Sequence, residues 1–217
     1  MIGSVREYEE YVRLSTAKPD IVKKQNVIIF NPAGGDASSM FADKTVDFGG
    51  AELVFEFVKN AAGMFMHANV KGIGKISRTD NITCATLMFK DAVVDKLQDE
   101  MSFKELGDAT SMFENTQVGN GGITKLDIPK IETAPLMFKK SNALGQGDAV
   151  VDLTEAFGKN WFMQRNLDAH EMFHSFKRKI KFGADVFSFG GVNAKDMFAE
   201  TEIVDSDGVQ VWTDNVC

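Results

Sequence analysis

The stretch Glu52-Leu53-Val54-Phe55-Glu56-Phe57-Val58 sets Leu53, Phe55 and Phe57 in alternation with Glu52 and Glu56. A period of two puts one set of side chains on a core face and the other toward water, which is the signature of a strand. Lys59-Asn60-Ala61-Ala62-Gly63 follows as a five-residue, hairpin-like connection. Residues 64–70 then alternate Met64, Met66, Ala68 and Val70 with Phe65, His67 and Asn69, and read as the return strand. A third strand is expected over 82–89, after Asp80-Asn81. Asp91 stands where it can cap a short helix through Val93, Val94, Leu97 and Met101.

Working outward, Ser4-Val5-Arg6-Glu7 has capping-box spacing, and Val5, Tyr8 and Val12 share a helical face. This predicts a first helix to about Leu14, with Pro19 closing the segment. Residues 26–30 (Val27, Ile28, Ile29, Phe30) read as a buried strand that runs into the turn Asn31-Pro32-Ala33-Gly34-Gly35-Asp36. Gly119-Asn120-Gly121-Gly122 reads as a Gly-rich loop, 123–128 as a further strand, and 141–147 as the candidate linker. The C-terminal third predicts a helix-rich stretch over 153–181, a short helix at 194–202 and a final strand at 209–212. No internal repeat is read from the chain. The expected fold class is α+β: an antiparallel β-sheet or sandwich core in the N-terminal two-thirds and a helix-rich C-terminal third. All 217 residues are expected in a single domain, 1–217, with a possible sub-boundary near 141–147.

Composition narrows the function classes. A formal charge of −7 leaves little basic surface for a phosphate backbone, so no direct nucleic-acid sequence recognition is expected. The basic run Lys177-Arg178-Lys179, with Lys181, reads as a solvated face. No stretch approaches the ~20 apolar residues of a membrane-spanning helix. The N-terminal residues lack the apolar core of a secretion signal, so folding in the cytoplasm is the expectation. The two cysteines, Cys84 in an apolar pattern and Cys217 at the last position, offer neither a CxxC pair nor a disulfide framework. Cys217 reads as a free thiol, with an intermolecular disulfide as the alternative. The departures from average usage are 18 Phe and 11 Met against two Tyr and two Trp. These are adaptable apolar side chains without a polar handle, suited to a large core or to subunit contacts.

One motif carries chemistry. His170-Glu171-Met172-Phe173-His174 has H-E-x-x-H spacing. On a helix, residues four apart lie ~40° apart around the axis, so both imidazoles could share one metal while Glu171 polarises its water. Residues 167–176 thus resemble the active-site helix of the zincin metallopeptidases. The resemblance implies zinc on His170 and His174 with Glu171 as catalytic base, and Glu200 as the third ligand from the set Asp196, Glu200 and Glu202. Against it, Met172, Phe173, Phe176 and Ile180 form an apolar stripe and leave both histidines on the solvent side with Lys177 and Lys181. Asp168 also puts a charge where that family carries an apolar or small residue.

Two further resemblances are local. The strand at 27–30 followed by Asn31-Pro32-Ala33-Gly34-Gly35-Asp36 resembles the phosphate-binding strand and loop of lipid and NAD kinases, although no second Gly-Gly-Asp-Gly element follows. A plain Gly-rich turn is the competing reading. His67, beside Phe65, reads as a core or edge histidine and not as a metal ligand. The order strand, strand, strand, acidic helix over about 52–101 is similar to the tube proteins of bacteriophage tails. It implies a non-enzymatic, self-associating structural subunit of virion type, a homo-oligomer whose partners are copies of itself and other assembly proteins. That reading needs no cofactor. The alternative is a zinc-dependent metallopeptidase.

Overall fold

The computed structural model describes residues 21–158, 166–182, 191–205 and 210–212, and the side chains of all but the last three. The helix expected at 4–14 and the tail with Cys217 lie outside the described residues. The strands are β1 Ile21–Lys24, β2 Val27–Phe30, β3 Thr45–Val54, β4 Asn69–Ser77, β5 Val93–Leu97 and β6 Glu100–Ser102. They continue as β7 Gln117–Gly121, β8 Lys125–Asp127, β9 Val151–Asp152, β10 Ile180–Lys181, β11 Ile203–Val204 and β12 Gln210–Trp212. Among the described residues there is one α-helix, α1, the five residues Leu153–Phe157. Asp152 caps it by accepting from the Thr154 and Glu155 amides. No helix among the described residues is long and apolar enough to cross a membrane.

The chain is a mostly β structure wound as a solenoid. Asp36, Asn60, Cys84, Asp108, Thr133, Asp168 and Asn193 form one unbroken ladder of parallel bridges. They mark the starts of seven successive coils, spaced by 24, 24, 24, 25, 35 and 25 residues. Each start is followed by the same pattern, Ala-x-x-Met-Phe, from Ala37 to Phe41 in coil 1 through Ala194 to Phe198 in coil 7. This pattern uses seven of the 11 methionines and seven of the 18 phenylalanines, so the composition reflects a repeat.

The local physics of that pattern is a tight corner followed by a strand. The residue before each Met and the second residue after each Phe take φ between 51° and 59° in every coil, Ser111 and Asn115 among them. Side chains other than glycine adopt this left-handed region at a cost of about 1–2 kcal/mol each. Backbone hydrogen bonding compensates. In coil 4 the amides of Ser111, Phe113 and Asn115 donate to coil 5 at Pro135, Met137 and Lys139, at 2.7–2.9 Å. The intervening amides of Met112, Glu114 and Thr116 donate three residues back within their own coil, to Ala109, Ser111 and Phe113. Every amide in the corner is thereby satisfied, half locally and half by the neighbouring coil.

Stacking the corners stacks their side chains. Phe41, Phe65, Phe89, Phe113, Phe138, Phe173 and Phe198 form one continuous column, with centroids 5.0–5.6 Å apart and planes within 15°. Buried Ala and Met columns flank it from coil 2 onward. After the corner, the chain runs into a parallel sheet in the order β1-β2-β3-β4-β5-β7, where only the β1–β2 pair is antiparallel. A second short ladder pairs β6 with β8, and a third joins β9, β10 and β11 in parallel, with β12 antiparallel at its edge.

The expected α+β fold with an antiparallel core and a helix-rich C-terminal third is therefore corrected. Residues 52–101 are not a hairpin, strand and helix; they belong to successive coils, and β3 and β4 pair in parallel with 59–63 as part of the next corner. The helix expected through Val93 to Met101 is β5 and β6. Of the helix-rich stretch expected over 153–181, the described residues form α1, a corner and β10, while 159–165 lie outside the described residues; the short helix expected at 194–202 is the corner of coil 7. The absence of a repeat is corrected too. The expected strand at 26–30 stands as β2, and β12 lies within the span expected for the final strand. The candidate linker at 141–147 lies in coil 5, where Ser141 and Leu144 are buried and Leu144 bridges to Ile123.

Candidate functional site

The H-E-x-x-H segment is the corner of coil 6. Ala169, Met172, Phe173 and Phe176 are the buried positions, which leaves His170, Glu171 and His174 outward by construction. Glu171 takes φ 52°, so the segment is a left-handed corner and not a helical turn. The two imidazoles engage different partners: His170 Nδ1 lies 2.8 Å from Asp168 Oδ1, and His174 Nδ1 lies 2.9 Å from Ser175 Oγ. Glu171 accepts from Lys139 of the preceding coil, and that hydrogen bond holds its carboxyl below the usual glutamate range. Glu200, from coil 7, accepts from Ser175 Oγ and lies 4.0 Å from His174 Nδ1. Its carboxyl is lowered first by the Ser175 hydroxyl and then by His174. Asp196 and Glu202 are placed apart, Asp196 in the coil 7 corner with φ 53° and Glu202 2.7 Å from Lys179. Among the described residues, no group of three or more His, Cys, Asp or Glu converges as a metal site.

The same outward positions form polar ladders in the other coils. His67 sits half-exposed between two carboxylates, with Nδ1 3.1 Å from Asp43 and Nε2 3.4 Å from Asp91. Asn115 Nδ2 donates to Asp91 at 2.7 Å, and Lys90 pairs with Glu114 at 2.9 Å. At the coil starts, Asp36 Oδ1 accepts from the Ser38 amide and from Asn60 Nδ2, which lowers the Asp36 carboxyl. Asn193 repeats the move on Asp168 at 2.9 Å. Cys84 occupies this ladder position as a free thiol beside Thr86 Oγ1. Gly34 and Gly35 lie in the short turn between β2 and coil 1, where the Gly35 amide already donates to Pro32. A phosphate would have to displace that bond.

One region breaks the regular ladder. Coil 5 does not add a strand beside β7. Asn142 instead places its side-chain amide against Val118, accepting from the Val118 amide at 2.7 Å and donating to its carbonyl at 3.0 Å. The side chain substitutes for the missing strand at that residue. The chain then cuts across to Ile123, whose amide donates to Ala143 and whose carbonyl accepts from Gly145. A Cβ on Gly122 would lie 2.0 Å from the Gly145 carbonyl oxygen, so the short cut needs glycine there. Gly119 and Asn120 are exposed there, and Gly119 borders a groove lined also by Lys140, Asn142 and Lys177. The sequence marks this place only by its glycines, which read there as a loop.

The Lys177-Arg178-Lys179 run with Lys181 is divided. Arg178 turns inward to donate to the Asn142 carbonyl, and burial lowers its guanidinium against the opposing pull of Asp148. Lys179 pairs with Glu202 and Lys181 lies 3.5 Å from Asp152, while Lys177 faces the groove. No protein-family model, curated protein or solved structure matches the chain.

Proposed function

We propose that this chain is a non-enzymatic structural subunit that takes its place in a larger assembly by side-on association with copies of itself. The observation that carries the reading is the repetition. Seven coils present the same corner at a strand-to-strand pitch of about 4.8 Å, so two rods in register can satisfy every coil at once. A weak contact repeated along a rod sums to a firm one, because later contacts form at high effective concentration. The outward polar residues support the same view. His67, Asp91, Lys90, Glu114, Lys139 and Glu171 are engaged by neighbouring coils and do not converge on a common point.

Sedimentation equilibrium across a hundredfold range of concentration tests the proposal, with negative-stain microscopy of the heaviest species. The expected result is a mass that rises in multiples of the chain and regular particles or filaments. A strictly monomeric mass over the whole range would sink it.

A further inference from the structure

We propose that the rod is two cooperative units meeting between coils 4 and 5, and that coils 5–7 open together at this seam while coils 1–4 stay folded. The first support is the strand pairing. Strands join coil 1 to coil 2 (β3 with β4), coil 2 to coil 3 (β4 with β5) and coil 3 to coil 4 (β5 with β7, β6 with β8). Strands also join coil 5 to coil 6 (β9 with β10) and coil 6 to coil 7 (β10 with β11). Among the described residues no strand pair joins coil 4 to coil 5, and the sheet that ends at β7 is separate from the one that begins at β9. The corner ladder and the Phe113–Phe138 stack at 5.3 Å do cross this step. Beyond the corner it is bridged by the Asn142 side chain on Val118, the Ile123–Leu144 bridge and side-chain bonds such as Gln146 to Asp99. A solenoid coil is held chiefly by its neighbours, so the step without paired strands is where the array divides.

The second support is the aromatic packing on either side. Phe48 meets Phe41 and Phe65 edge-on and ties coil 1 to coil 2. Phe157 of α1 and Phe176 each meet Phe138 and Phe173 edge-on, at 5.7–6.4 Å, and tie coil 5 to coil 6. Arg178 of coil 6 also reaches back to the Asn142 carbonyl of coil 5. Among the described residues no edge-on ring contact spans coils 4 and 5, where the column stack stands alone. The order of opening follows from the ladders. β3 runs for ten residues and pairs with β4 at seven positions, whereas β9–β10 and β10–β11 pair at two and one. Coils 5–7 are therefore the weaker unit. Their opening removes the acceptors of the Ser111, Phe113 and Asn115 amides, which belong to coil 4 but donate to coil 5.

The test is native-state amide exchange of the whole chain in rising, sub-denaturing urea. The Ser111, Phe113 and Asn115 amides should share one opening free energy and one urea slope with the Glu171 and Phe173 amides of coil 6. This group should exchange at least about a hundredfold faster than the Gly63 and Phe65 amides, which donate from coil 2 to coil 3. Asn142→Ala removes bonds that lie only in the seam, so it should speed the first group about tenfold and leave the second unchanged. A single opening free energy throughout the chain would overturn the proposal. So would fraying coil by coil from coil 7 with the three coil 4 amides as protected as Gly63, or an equal effect of N142A on both groups. Should N142A fail to fold, the comparison of the two groups in the unaltered chain decides alone. The seam is a property of the single chain and stands or falls whatever the solution mass proves to be.

Discussion

From Asn60 to Thr133 the corner recurs at steps of 24, 24 and 25 residues, and each corner before Thr133 runs on into a strand that extends a sheet. Coil 5 begins with the same Ala134-Pro135-Leu136-Met137-Phe138 corner, with Phe138 stacked between Phe113 and Phe173, yet its next corner comes only after 35 residues. In between it replaces a strand with the Asn142 side chain and inserts α1. The comparison separates two kinds of constraint. The corner is held by a column that must pass through every coil. The strand is held only by its neighbours, so a single polar side chain can stand in for it. Solenoids tolerate this because each coil interacts chiefly with the next one along.

The largest expected effect tests the column. Phe113 is fully buried and stacked on both sides, so Phe113→Ala should cost about 3–5 kcal/mol in urea unfolding. Phe41, partly exposed and stacked on one side by Phe65, should lose less than half as much on the same change. Equal losses would mean that the column is not what holds the corners together.

Gly122→Ala strikes the short cut. Its Cβ would meet the Gly145 carbonyl at 2.0 Å, and the backbone there has φ 154°, so a loss of about 2–3 kcal/mol is expected. Gly107, in the regular region, has nothing nearer than 3.9 Å, and Gly107→Ala should stay within about 1 kcal/mol of the parent. Thermal melts of the two variants side by side would show the contrast. A smaller change follows for Asn142→Ala, which leaves the amide of the buried Val118 without its acceptor at a cost of about 1–3 kcal/mol. Asn142→Asp keeps the acceptor and loses the donor, and should fall between.

What the sequence conceals is a degeneracy of spacing. The inward positions of a corner, as in Ala169, Met172, Phe173 and Phe176, stand at i, i+3, i+4 and i+7, the spacing of an amphipathic helix. The apolar set was therefore legible: Met172, Phe173, Phe176 and Ile180 are all buried, as an inward stripe requires. The conformation was not, because two left-handed residues per corner close the chain where a helix would continue, and Glu171 and Ser175 carry no local mark of it. The same degeneracy makes His170 and His174 resemble a metal-binding pair, since outward corner positions four apart copy the outward face of a helix. In 64–70 the ambiguity runs the other way. Met64 and Phe65 are adjacent and both fully buried, which no alternating strand allows. The Ala-x-x-Met-Phe recurrence at 24 residues was present in the letters and would have resolved both. Nothing local, by contrast, announces that Asn142 replaces a strand.

The weakest expected effect concerns the rung between the two unlike regions, where Lys139 of coil 5 holds Glu171 of coil 6. The carboxyl is lowered in the folded chain chiefly by its hydrogen bond to Lys139, with burial opposing. A lowered carboxyl means that the unfolded chain takes up its proton first as pH falls. The rung's contribution is therefore complete above about pH 5 and is lost as pH drops through the ordinary glutamate range toward the lowered folded value. With both side chains partly open to water, that contribution is at most about 1 kcal/mol. Urea titrations between pH 7 and pH 3 should show the parent losing stability faster than Lys139→Met, with the two curves converging at the acid end. The gap should shrink in high salt, because partly exposed charges are screened. Parallel curves would assign the joint between coils 5 and 6 to the Phe138–Phe173 stack and the shared backbone ladder alone.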